Sequence, residues 1–343
     1  MRTLAQFALV GSLLLGSAGV AHADVTTPND DFDLVKLADG VYAAVAKPGG
    51  LASGNAGFIV GDDGVVVVDT FFTPAACDEL IAEIGKLTPK PIRFVVNTHY
   101  HLDHTGGNQL FAARNVPIIA HDHVMEWQTT KNRRFLPSAE ELKKRRDDAA
   151  KQLAETPQDQ AAKRTQLERQ VRRLDAMQAI QLTNPTETFG SGVVHLRVGK
   201  REVQLITLPG HTGGDVLVFV PDANVLFTGD MVWSKTLPNL VDATVNDWIP
   251  SLDTILSRYP TARFAAGHGQ PATAAELREF RNYLDDLRIR VKKAIAEGLT
   301  LEQARQQLTL PETYKPFAFQ NFAQPNVEDM YKELTGTKDA GRQ

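Results

Sequence analysis

The segment THYHLDHTGGN, running from Thr98 to Asn108, places three of the chain's nine histidines and an aspartate within six residues. Imidazole nitrogens and carboxylate oxygens at this density suit proton transfer or the holding of a cation. Residues two apart point to nearly opposite sides of a helix, so His99 and His101 share a target only where the backbone is extended or turning. The preceding run PIRFVVN reads as a strand buried on both faces, which puts the cluster on the loop where that strand ends. Asp103 and His104, around the turn, then face a second nearby point. One zinc ion takes three or four protein ligands, so this turn alone leaves its sites incomplete.

Distant segments repeat one arrangement. VQLITLPGH ends at His211, NVLFTGD at Asp230 and RFAAGH at His268, each an apolar strand-like run reaching a ligand-type residue after glycine. In layered α/β proteins, sites gather at the carboxyl ends of strands, so these ends are expected to meet in one crevice. Cys77 is the only cysteine. It rules out a thiolate cluster and reads as a packing residue of an amphipathic helix over Pro74 to Leu87, so any metal must be held by nitrogen and oxygen. His195 alternates within VVHLRV as a facing residue, and His121 and His123 fit a strand-to-helix turn.

The elements that must position these groups follow from turn signals and periodicity. LVKLADGVYAAVA, AGFIV and VVVVDT read as hairpin-linked strands, and VPIIA, VVHLRV, REVQLITL and VLVFV as further strands. A helix is expected from near Gly106 through NQLFAAR and another over about Asp247 to Ser257. Between about 128 and 181 the chain turns charged and helical, broken at Thr156-Pro157, with an apolar stripe of Leu167, Val171, Leu174 and Met177. That segment reads as a helical hairpin inserted into a mixed α/β scaffold: either a solvated arm or a substrate-selecting lid. From about Ala274 the chain is mostly helical.

Totals exclude some classes. The 343 residues carry 37 Lys and Arg against 41 Asp and Glu, a net charge of −4, which gives a nucleic-acid partner no electrostatic support. The opening MRTLAQFALVGSLLLGSAGVAHA, with Arg2, an apolar stretch and Ala21-His22-Ala23, has the layout of a secretory signal cut after Ala23. A periplasmic or secreted protein with no stable membrane anchoring after cleavage is expected. The composition leaves the oligomeric state undetermined.

HYHLDH at 99–104, GHTGGD around His211, FTGD ending at Asp230 and GHG around His268 resemble the defining motifs of the metallo-β-lactamase superfamily. The likeness runs from about Val35 to Gly269 and includes Asp69 of VVVVDT. It implies a four-layer αβ/βα sandwich with a two-metal site at one edge. The implied division is a signal over 1–23, a metallo-β-lactamase-like domain over 24–272 with its insertion, and a helical extension over 273–343. It further implies two Zn²⁺ per chain, with His99, His101 and His211 on the first, Asp103, His104 and His268 on the second, and Asp230 between them. Asp103 and Asp230 would take catalytic roles, and Asp69 would fix an imidazole. A carboxylate at 230 resembles the glyoxalase II-like and broad hydrolase branches, where lactamase branches carry cysteine or serine.

Two zinc ions can share a water and lower its pKa toward neutrality. The chemistry expected is therefore hydrolysis of an ester, thioester, lactone or amide, including a β-lactam, in a small-molecule substrate. Two alternatives are iron-dependent redox chemistry of the same superfamily and a non-catalytic periplasmic metal-binding or assembly factor. Lys235 is a candidate for attracting a substrate carboxylate, and Trp127, Phe135 and Trp233 for apolar walls.

Overall fold

A computed structural model describes residues 25–338, so the expected signal and its cut after Ala23 lie outside the described residues. Eight strands follow one another across the first sheet: β1 Val25–Pro28, β2 Phe32–Ala38, β3 Val41–Ala46, β4 Ala56–Val60, β5 Val65–Val68, β6 Ile92–Val96, β7 Ile118–His121 and β8 Glu187–Phe189. They pair antiparallel up to β5 and parallel from β5 to β8. The second sheet has the order β13 Arg263–His268, β12 Val225–Trp233, β11 Val216–Val220, β10 Arg201–Thr207 and β9 Val193–Val198.

Alternation along the strands builds the layers. In β5, Val66 and Val68 face the second sheet's Val203, Leu205, Val218 and Phe227, while Val65 and Val67 face helices on the other side. Those helices include α1 Pro74–Leu87, which Thr73 caps and Pro74 opens, and which buries Ala76, Leu80 and Ile84 at one-turn spacing. Each such buried Leu or Ile contributes about 1.5–3 kcal/mol relative to exposure. After β6 come α2 Leu102–Thr105 and α3 Asn108–Ala112, two short helices where a single one from near Gly106 was expected. Cys77 is fully buried, and burial pushes its thiol pKa up, in keeping with a packing role.

After α4 Asp122–Trp127, the inserted segment comprises a tight 3₁₀ turn over Lys131–Phe135, α5 Ala139–Glu155 and α6 Ala161–Gln178. Leu142, Ala149, Leu174, Val171 and Met177 join α5 to α6. The outer face of the second sheet is covered by α7 Val245–Arg258, α8 Ala274–Ala296, α9 Leu301–Gln307 and α10 Ala323–Leu334. Leu277, Phe280, Leu284, Val327 and Met330 share one core with Trp248, Phe264 and Leu226, so the C-terminal helices form the fourth layer. The layers run helix, sheet, sheet, helix, as expected.

Three strands differ from the sequence reading. Only Val95 and Val96 of β6 are buried; Ile92 and Phe94 are half-buried and Arg93 is exposed, so the strand is not buried on both faces along its whole length. Strands β1 and β8, at the two edges of the first sheet, were not anticipated; the three residues of β8 carry no alternation.

Candidate metal centre

All seven proposed donors converge. His99, His101, His211 and Asp230 bring donor atoms within 4.8 Å of one another, and Asp103, His104 and His268 form a second such group. His99 and His101 occupy the loop after β6, as the two-residue spacing required, whereas Asp103 and His104 ride on α2. His211 lies between β10 and β11, and His268 is the last residue of β13. Asp230 sits inside β12 instead of at its end. There the parallel register with β13 shifts at Gly229, whose φ of 49° turns the following carboxylate toward the centre.

Asp230, of the first group, also faces the second. Its Oδ1 lies 3.1 Å from His104 Nε2, and its Oδ2 lies 3.3 Å from His211 Nε2, 3.4 Å from His268 Nε2 and 3.8 Å from His99 Nε2. His268 Nε2 is also 3.3 Å from Asp103 Oδ2, and His211 Nε2 is 3.0 Å from His101 Nδ1. His99 Nε2, His104 Nε2, His268 Nε2 and Asp230 Oδ1 are buried without a hydrogen-bond partner. Buried polar atoms are nearly always paired, so a cluster of orphans facing one point fits a cation that completes them. Nitrogen and oxygen donors without thiolate suit zinc or another divalent first-row ion.

Other residues aim these donors. Asp69 Oδ2 accepts from Thr98 Oγ1 at 2.8 Å and lies 2.9 Å from His104 Nδ1, while its Oδ1 accepts from Thr98 N at 2.8 Å. It therefore both fixes an imidazole and caps the turn, from a left-handed φ of 60° that few side chains tolerate. Asp242 plays the corresponding part for His101 and escaped the sequence reading. Its Oδ2 lies 2.9 Å from His101 Nε2, accepts from Tyr100 Oη at 2.6 Å, and pairs with Arg134 of the insertion. Trp233 stacks on His268 with ring centroids 4.0 Å apart.

The electrostatics follow from packing carboxylates and imidazoles together away from water. Burial alone would raise Asp230 and Asp103, but the His268 and His104 imidazoles outweigh it and hold both well below the usual carboxylate range. In the metal-free chain burial opposes charge on His104 and His268, yet the facing carboxylates win: His104 is raised well above its ordinary value and His268 to about 9. His99 and His211 are pulled down, the latter to about 3, by burial first and then by neighbouring imidazoles. Asp215, buried beside the His211 loop and bonded to Thr212, is raised to about 8 by burial. Protons thus stand where cations would balance the acids.

The donors open onto a cavity of about 470 Å³. Phe135 and Trp233 line it, as do Phe319 and Phe322 from the C-terminal layer and Met177 and Arg173 from α6. Trp127 instead packs with Tyr100 and Val124 in a buried cluster. Lys235 pairs with Glu279 and lines an adjoining cavity that shares Ser53, Arg173, His268 and Phe319 with the donors' cleft. His121 caps α4, His123 lies 2.7 Å from the Gly213 carbonyl through Nδ1, and exposed His195 pairs with Glu202. No helix among the described residues is long and apolar enough to cross a membrane.

Comparison with known proteins agrees with this fold. A linear primary-alkylsulfatase from Pseudomonas sp. (strain ATCC 19151) is 24% identical over 266 residues, covering 73% of this chain and 48% of that protein. A metallo-beta-lactamase type 2 from Bacillus cereus is 26% identical over 212 residues, covering 60% and 63%. The chain spans about half the length of the first curated relatives it matches. The crystal structure of the DIM-1 metallo-beta-lactamase exposed to ceftazidime superposes with a TM-score of 0.55 at 17% identity, over 76% of this chain and 99% of that one. The family model described as the metallo-beta-lactamase superfamily matches residues 49–276, and the chain belongs to that superfamily.

Proposed function

We propose that the protein is an exported dinuclear zinc hydrolase acting on a small-molecule ester, thioester, lactone or amide. The observation that carries this reading is the convergence of seven donors in two groups with one carboxylate between them. His99, His101 and His211 would hold one ion and Asp103, His104 and His268 the other, with Asp230 shared. When bound, the pair would supply a water ionised near neutral pH and would polarise the scissile carbonyl.

The chain's own residues do the rest. Asp103 is the donor carboxylate that opens to the cleft, with a side chain 26% exposed against 2% for Asp230. As a ligand carboxylate it would be ionised, and it would accept a hydrogen bond from the attacking water and orient it. Asp69 and Asp242 hold His104 and His101 in the tautomers that point the remaining nitrogen inward. Phe135, Trp233, Phe319 and Phe322 exclude bulk water from one side of the cleft. Export rests on the arrangement of residues 1–23.

Metal analysis of the purified chain, followed by a chelator-reversible screen over β-lactam, lactone, thioester and sulfate-ester panels, tests the reading. Two equivalents of zinc with turnover support it. Iron with oxygen-dependent chemistry, or bound metal with no turnover across the panels, overturns it.

A further inference from the structure

Arg173 is the residue of the cleft left over by the metal chemistry. Neighbouring arginines are committed: Arg172 pairs with Asp31 and Glu79, and Arg134 with Asp242. Arg173 lies on the cavity wall beside Asp103 and His268, rests over the Phe72 ring at 4.6 Å and donates one hydrogen bond, to the Gly50 carbonyl at 3.3 Å. Among the described residues no carboxylate forms an ion pair with it. A half-buried guanidinium has lost part of its water and keeps a planar fork of donors that matches a carboxylate or sulfate.

The wall around it is apolar. Phe135 and Phe319 are among the exposed large hydrophobic side chains, at 38% and 42%, and both line this cavity. Phe319 does so from a left-handed backbone with φ of 58°, a strained conformation for an aromatic residue that its surroundings must hold in place. Exposed apolar rings around a few polar groups are the usual make-up of a ligand pocket.

We infer that Arg173 is the specificity-determining residue of this cleft, and that the substrate is an amphiphilic anion. Its oxyanion head is gripped by Arg173, and its apolar part lies along Phe135, Trp233, Phe319 and Phe322. The inference rests on the hydrolase reading for the word substrate, but recognition itself is measurable without turnover.

Calorimetric titration of the metal-replete chain with octyl sulfate, octanoate and 1-octanol, below micellar concentrations, tests it. At least one anion binds the unsubstituted protein about tenfold or more tighter than octanol, the scale of a hydrogen-bonded charge pair. Arg173→Met removes that advantage and leaves octanol binding unchanged. Arg173→Lys keeps part of it, and Lys163→Met, exposed near the start of the same helix, keeps all of it. The preferred anion identifies the head group. Anion affinity unchanged in Arg173→Met, octanol affinity falling equally, or no anion preference at all overturns the inference. Arg173→Gln replaces Arg173→Met if the latter does not fold. A shift in binding without hydrolysis of any panel substrate sinks the hydrolase reading alone.

Discussion

The Asp242 carboxylate lies 2.9 Å from His101 Nε2, across 141 residues of sequence, and turns the ring's other nitrogen toward His211. Arg134, from the 3₁₀ turn of the insertion, pairs with the same carboxylate. The insertion is therefore wired into the donor cluster and does more than stand in solvent. Asp69 does for His104 what Asp242 does for His101, so each donor group has a carboxylate behind one of its imidazoles.

Asp242→Asn keeps the shape and removes the charge that fixes His101. Metal affinity is expected to fall about 10- to 100-fold, the usual cost of losing such a partner, while the circular dichroism spectrum is unchanged. Competition against a chromophoric chelator reads the affinity. An unaltered dissociation constant would show that Tyr100 and Arg134 alone suffice to hold the loop.

Two glycines make room for the donors. A Cβ on Gly54 would lie 2.7 Å from His104 Nε2 and from the Asp103 carbonyl, and one on Gly267 would lie 2.0 Å from Asp230 Oδ1. Gly54→Ala and Gly267→Ala are expected to reduce bound metal below two equivalents, with a smaller loss for Gly54, whose closest approach is 2.7 Å against 2.0 Å at Gly267. Elemental analysis of the purified variants checks this, and full occupancy in both would refute it.

What the sequence carried and what it hid divide along local and non-local physics. The donors were legible because each is a chemically distinctive residue after an apolar run, and α1 because Thr73, Pro74 and its apolar spacing are all local signals. Asp242 lies in LVDATV, with no periodicity and no neighbouring histidine in sequence, and only tertiary packing brings it to His101. Gly54 meets His104 in the same way. Phe319 and Phe322 were invisible as cleft residues because nothing local says that the C-terminal layer folds over the donors. The position of Asp230 inside β12 depends on a register shift, which pairing decides and residue type does not.

The helical hairpin is anchored as well as wired. Arg172 Nη1 and Nη2 lie 2.9 and 2.7 Å from the two oxygens of Asp31, which is fully buried. Arg172→Met leaves that carboxylate with little beyond the Leu51 amide. Because Arg172 is itself 43% exposed, solvent screening limits the loss to about 1–2 kcal/mol. A lower urea midpoint with faster amide exchange in α6 is the expected result; exchange unchanged in α6 would mean that the apolar contacts of Leu174 and Met177 dominate.

Asp103→Ala and His268→Ala each remove a donor of the second group from the short helix α2 or from a strand end. Both are expected to abolish most hydrolysis, with far-ultraviolet dichroism preserved. Retention of full turnover by either variant would exclude a mechanism that needs both groups.

Removing metal is expected to cost more stability at higher pH. His268 in the metal-free chain has a pKa of about 9 against an ordinary 6.5, because the facing carboxylates favour its charged form. A group raised in this way stabilises the fold fully below pH 6.5, and the contribution disappears as pH rises through about 9. His104 is shifted in the same direction, so it adds to the same loss. Asp215, raised to about 8 chiefly by burial, also favours the acid side; it stands outside both donor groups, so most of its contribution is common to loaded and chelated protein. Bound cations do not titrate away, and proton competition for the imidazoles weakens as pH rises. The difference in melting temperature between loaded and chelated protein should therefore widen between pH 6.5 and 9, where a constant or shrinking difference would show that these imidazoles are not the groups the metal occupies.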